Sequence, residues 1–131
     1  MNWKGITIHH SASHDVSSDE IDRWHKERGW KGIGYHFVVR ENGNIELGRD
    51  INQQGAHNRG KNQSHIGVCV TGRFNTSSPS RRQIISLMYL VGGLCDNYDI
   101  SIDNIDGHHD NCPGKLFPMQ FLKNNIIRSG D

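Results

Sequence analysis

Gly5-Ile6-Thr7-Ile8-His9 alternates in character, which puts Ile6 and Ile8 on one face of a first strand and Thr7 and His9 on the other. Ser17-Ser18-Asp19-Glu20 offers a capping box that opens a helix over 18–28. Its acids (Asp19, Glu20, Asp22) come first and its bases (Arg23, Lys26, Arg28) last, as the helix dipole favours. Ile21, Trp24 and His25 form its inner stripe. Tyr35 to Arg40 reads as a strand, Asn42-Gly43 as a hairpin turn, and 45–48 as the return strand. His65 to Thr71 is apolar on both faces, as a central strand is. Ser80 to Tyr98 is the longest helix, with Ile84, Leu87, Met88, Val91, Leu94, Cys95 and Tyr98 at helical spacing. Ile100 to Ile105 reads as a short strand delivering Gly107-His108-His109, and Pro118 begins a last helix that runs to Ile127. The expectation is one α/β domain over 1–131, a central mixed sheet flanked by helices.

At 131 residues the chain is long enough to bury roughly two thirds of the surface its unfolded form exposes. Lys plus Arg number 15 against 14 Asp plus Glu, a net charge of +1, so no nucleic-acid partner is expected. Met1-Asn2-Trp3-Lys4-Gly5 leads into the first strand without an apolar signal segment, and no run approaches the roughly 18 apolar residues of a membrane span. Synthesis in a cytoplasm without membrane insertion is therefore expected, with any target outside the cell reached by another route. Three cysteines cannot all pair within one chain. Cys69 and Cys95 fall in apolar runs and read as buried small hydrophobes, whereas Cys112 stands among polar residues, three positions after a His pair.

Nine histidines are the unusual number, and together with Cys112 they raise the question of a metal. Ile8-His9-His10-Ser11 and Gly107-His108-His109-Asp110-Asn111-Cys112-Pro113 are two segments that could meet at strand ends. A catalytic zinc needs three protein ligands and an open fourth position, a count that His9, His108 and Cys112 satisfy. Neighbours on a strand face opposite ways, so His9 and His10 do not readily share one ion, and His9, opposite the Ile6/Ile8 face, is the better ligand. Against this stands the plainer reading of two coincidental surface His pairs.

Three segments carry a family resemblance: Ile8-His9-His10-Ser11-Ala12-Ser13, Trp24-His25-Lys26-Glu27-Arg28-Gly29-Trp30 and Ile33-Gly34-Tyr35-His36-Phe37-Val38-Val39. Gly48-Arg49-Asp50, Gly55-Ala56-His57, Asn62-Gln63-Ser64-His65-Ile66-Gly67-Val68, Gly107-His108 and Cys112-Pro113-Gly114 extend it over nearly the whole chain. Together they resemble the phage-lysozyme type of N-acetylmuramoyl-L-alanine amidase, whose domain is shared with the peptidoglycan recognition proteins. The resemblance implies one Zn2+ per chain held by His9, His108 and Cys112, with Tyr35 as the catalytic tyrosine. It implies a groove for bacterial peptidoglycan in which His36, His57 and Asn62 contact substrate, although His57 and Asn62 could equally hold a loop, and Tyr35 alone would read as a core aromatic.

One departure stands out. The family pattern has a longer loop before the Cys and a lysine two positions ahead of it; here the loop is His109-Asp110-Asn111, and Asp110 occupies that position. Lys115 is the nearest alternative cation, and the shortening leaves His109 as an alternative ligand to His108. The leading expectation is a phage or prophage endolysin that hydrolyses the wall and depends on a holin-type, membrane-permeabilising partner or on delivery in a particle. The alternatives are a peptidoglycan-binding module without chemistry and a regulator that binds a polymerase.

Overall fold

The computed structural model describes residues 1–128. Its elements run β1 (Gly5–His10), α1 (Ser18–Glu27), β2 (Phe37–Val39), β3 (Ile45–Leu47), β4 (His65–Val70), α2 (Arg81–Tyr98), β5 (Ile105–Gly107) and α3 (Met119–Asn124). The five strands form one sheet in the order β3-β2-β4-β1-β5. β1 pairs in parallel with β4 and β5, β2 in parallel with β4, and β3 closes the edge antiparallel to β2. The architecture is the expected mixed sheet flanked by helices.

Alternation along the strands sorts their side chains into two layers. Ile6, Ile8, Ile66, Val68 and Val70 join Leu87, Val91, Leu94 and Cys95 of α2 and Leu122 of α3 in the larger core. On the opposite face Val38 and Cys69 pack with Ile21 of α1, Val16 and Ile33, and Trp24 and Tyr35 lean on that cluster. His9 is in register with Cys69 and Ile8 with Val68, which sets the His9 side chain on the α1 side. Cys69 and Cys95 are buried, as their apolar surroundings suggested.

Several element boundaries differ from the sequence pattern. Only half of the expected capping box forms on α1: Ser17 Oγ accepts from Glu20 N–H, while the Glu20 carboxylate pairs with Arg23; Glu46 takes the N–H of the next residue, Ser18. The complete box is at α2, between Ser80 and Gln83. The strand expected over 100–105 begins only at Ile105. Ser101 Oγ accepts the Asp103 N–H and winds Ile102–Asn104 into a 3-10 turn, a local alternative to the ladder. The last helix ends at Asn124, where two asparagines favour turning, and the chain then returns to α2 through an Ile127 N–H to Met88 carbonyl bond. Tyr35 and His36 lie before the β2 ladder, although Tyr35 still accepts from Arg49 N–H and His36 from Gly48 N–H. No helix among the described residues is long and apolar enough to cross a membrane.

Candidate active site

β1 and β5 run side by side in parallel, so their C-terminal ends project together. β1 ends in His9-His10 and β5 leads directly into His108. After His108 the chain doubles back in a tight turn, with paired backbone bonds between His109 and Cys112. The shortened loop thereby returns the Cys112 sulfur to 3.5 Å from His9 Nδ1. The donor atoms of His9, His108 and Cys112 all lie within 4.8 Å of one another.

This set fits a metal on chemical grounds. Two donors bound tetrahedrally to zinc at normal Zn–N and Zn–S lengths lie about 3.6 Å apart, close to the His9–Cys112 separation. Burial draws the His9 pKa well below its ordinary value, with neighbouring histidines adding to the effect, so its imidazole is neutral and its lone pair is available. His108, lowered first by desolvation and then by His109, is likewise biased toward the neutral form. Burial raises the Cys112 thiol, partly offset by the His10 backbone N–H directed at the sulfur.

His10 is turned to the other side of β1 and is not in the donor set. Its Nδ1 accepts from the Phe74 N–H at 3.0 Å, and its ring also donates toward the Asn111 carbonyl. It therefore ties the Cys112 loop to the segment that follows β4, a role the sequence did not reveal. His109 is exposed, accepts the Asn111 N–H at Nδ1 and packs at a tilt against His108, ring centroids 4.6 Å apart. It lines the cleft but stands outside the clustered donors.

The donors lie in a cleft of about 430 Å³ whose wall includes Tyr35, His57, His25, Arg28 and Trp30. Tyr35 is beside His9, ring centroids 5.0 Å apart. Burial is the main reason its pKa stands well above the ordinary phenol value, with Arg28 opposing, so the hydroxyl is a proton-bearing donor at neutral pH. His25 Nδ1 accepts from Gly34 N–H at 3.0 Å, which braces the segment carrying Tyr35 against α1. A second hollow of about 320 Å³ shares Trp30, Ala56, His57 and His108 with the cleft and is bounded by Asn58, Arg59 and Asn62. The two adjoin along these shared residues and are together called the groove. A larger hollow near Arg73 and Ser77, of about 750 Å³, shares only Ala12 with the cleft and contains none of the clustered donors.

The other expected site residues separate clearly. His57 lines the groove, but both ring nitrogens are engaged, Nδ1 with His9 and Nε2 with the His65 carbonyl. Asn62 also borders the groove, and its Oδ1 accepts from the His57 and Asn58 N–H groups, so it shapes the loop that carries His57. His36 needs correcting: it is 1% exposed, accepts from Gly67 N–H, bonds the Gln53 carbonyl and packs edge-on to Trp3. It is brought into the interior and away from the cleft lining. Lys115 is exposed and does not line the cleft, because the chain turns at Gly114 onto Phe74. The cation that does line it is Arg28, set over the Trp30 ring at 5.6 Å. In the sequence Arg28 stands among the helix-dipole bases and within the Trp24–Trp30 resemblance segment, without a site role; its place just after α1 and before Gly29-Trp30 was the available signal.

The sequence profile of the N-acetylmuramoyl-L-alanine amidase family matches residues 1–115, a span that includes all three donors. The chain belongs to this family, and it is an amidase. An endolysin of Enterobacteria phage T3 is 35% identical over 96% of this chain and 90% of its own length. The amidase LysC of Clostridium intestinale URNW superposes with a TM-score of 0.90 at 36% identity, over 95% of this chain and 85% of LysC. Peptidoglycan-recognition protein SC2 of Drosophila melanogaster is 31% identical over 82% of this chain and 66% of its own length.

Proposed function

We propose that this amidase is a phage or prophage endolysin that hydrolyses the amide between the lactyl group of N-acetylmuramic acid and the L-alanine of the peptidoglycan stem. In this reading it uses one zinc ion held by His9, His108 and Cys112. The observation that carries the proposal is the convergence of three donors within 4.8 Å in the lining of a groove, with Tyr35 beside them. The endolysin relatives at similar length support the substrate.

Zinc in such a set supplies Lewis acidity toward the amide carbonyl and lowers the pKa of bound water toward about 7. The chain's own residues supply the rest. Tyr35, kept protonated, donates to the oxygen that gains charge as the carbonyl is attacked. Arg28, held over Trp30, takes the place of the lysine that the family pattern has ahead of Cys112 and offers positive charge at the cleft wall. His57 and Asn62 shape the groove along which the glycan-peptide junction lies. Retention of Tyr35 with a full ligand set favours hydrolysis over passive binding. As an endolysin the protein acts on the cell wall and depends on a holin-type partner to reach it.

The test is metal removal and return. Purified protein should contain one zinc per chain, lose wall-degrading activity on chelation and regain it with stoichiometric zinc. Full activity in metal-free protein would remove zinc from the reading.

A further inference from the structure

We propose that His57 is a positioning residue that selects the tautomer of His9, so that the His9 Nδ1 lone pair faces Cys112 and the metal. The inference rests on the zinc reading above and assigns His57 a function separate from substrate contact.

Its physical basis is a one-way chain of hydrogen bonds. His57 Nε2 lies 2.9 Å from the His65 carbonyl oxygen, which can only accept, so the His57 proton is on Nε2. His57 Nδ1 is then bare, and it lies 3.0 Å from His9 Nε2 in a buried contact. The neutral His9 ring must therefore carry its single proton on Nε2 and donate it to His57. Nδ1 of His9 is left unprotonated, and this is the nitrogen 3.5 Å from Cys112 Sγ. A backbone carbonyl at β4 thus sets the protonation of a ligand on β1 through one intervening imidazole. Ligand histidines commonly have their second nitrogen fixed by such a partner, which orients the ring and sets its basicity.

The surrounding packing holds the intermediary in place. Its loop is pinned by Asn62, whose Oδ1 accepts the His57 backbone N–H at 2.8 Å. Its ring lies against Gly67 of β4, where an added Cβ would come within 2.5 Å of the imidazole, so a side chain there would push the ring out of line. The two imidazoles meet edge-on, at 87° with centroids 5.0 Å apart.

The experiment compares wild type, His57→Phe and His57→Gln in two readouts. Long-range proton–nitrogen NMR correlations of metal-free protein at neutral pH report the His9 tautomer, and competition with a chromophoric chelator reports zinc affinity. Wild type is expected to carry the His9 proton on Nε2. His57→Phe should lose that preference and bind zinc about 10- to 100-fold more weakly. His57→Gln, whose amide oxygen can accept from His9 and whose NH2 can donate to His65, should restore much of both.

A wild-type His9 protonated on Nδ1 overturns the inference, as does a His57→Phe protein with unchanged tautomer and zinc affinity. If His57→Phe does not fold, the wild-type tautomer and the Gln variant still decide the matter. Failure of wild type to bind zinc would defeat the metal reading, whereas the metal-free tautomer comparison would still judge the role of His57.

Discussion

The sulfur of Cys112 lies 3.5 Å from Nδ1 of His9, although 103 positions separate the two residues. The parallel pairing of β1 with β5 and the tight turn at 109–112 create that contact, so it depends on the fold as a whole. Cys112→Ala would leave the proposed site with two protein ligands. Elemental analysis should show most zinc lost, with the melting temperature of metal-free protein changed little, because Cys112 is only half-buried and lies outside both hydrophobic clusters. Full zinc stoichiometry in the variant would transfer the third ligand elsewhere, with His109, whose ring packs against His108, the candidate.

Tyr35→Phe keeps the ring that packs against His9 and removes only the hydroxyl. Zinc content and folding should be unchanged, while kcat falls by about 10²–10³ with little change in KM, the usual effect of losing one oxyanion donor. Arg28→Ala should cost less, about fivefold, because an exposed cation contributes on the order of 1 kcal/mol. Lys115→Ala, altering a residue outside the cleft, should change the rate by less than about twofold. A larger loss with Lys115 than with Arg28 would reverse the assignment of the cleft cation.

Gly34 precedes Tyr35 and receives the Ala56 N–H on its carbonyl. A Cβ added there would meet the Ala56 carbonyl oxygen at 2.0 Å, backbone against backbone. Gly34→Ala must separate the Tyr35 and His57 segments, at a cost of about 1–3 kcal/mol. Thermal unfolding should show a Tm several degrees lower, accompanied by weaker zinc retention. An unchanged Tm would mean that the two segments part without strain.

Much of this organisation was legible in the sequence, for identifiable reasons. Strict alternation marked β1, and the same alternation separated His9 from His10. Two His pairs and a Cys at strand ends marked the donor set. Alternation also separates Tyr35 from His36, but the short irregular stretch before β2 hid that consequence, and His36 lies inside instead. The relay through His57 and the tie made by His10 depend on backbone carbonyls and N–H groups from distant strands, which no spacing rule reveals. The place of Arg28 in the cleft lining follows from where α1 ends relative to the cleft, which the helical pattern alone does not reveal.

Away from the site, Asp15 is bound by Arg40 and accepts from Thr71 and the Glu41 N–H, and these partners lower its pKa from 3.8 to about 2, with Arg40 the main cause. A carboxyl depressed in the folded state contributes stability that is fully present above its unfolded pKa and is lost as pH falls through its folded one. The contribution, on the order of 1–2 kcal/mol, should therefore fade between about pH 4 and pH 2. Chemical denaturation of Asp15→Asn should be less stable than wild type at neutral pH, with the gap closing toward pH 2. A gap that stays constant with pH would show that Asp15 does not act through its charge.

The most direct test of the central claim is mass spectrometry of purified peptidoglycan digested by the zinc-loaded protein. Cleavage of the lactyl–alanine amide should release stem peptides with a free L-alanine amino group, leave glycan strands without new reducing ends, and stop on chelation. New reducing ends with intact lactyl–peptide bonds would contradict the account, whatever lysis accompanies them.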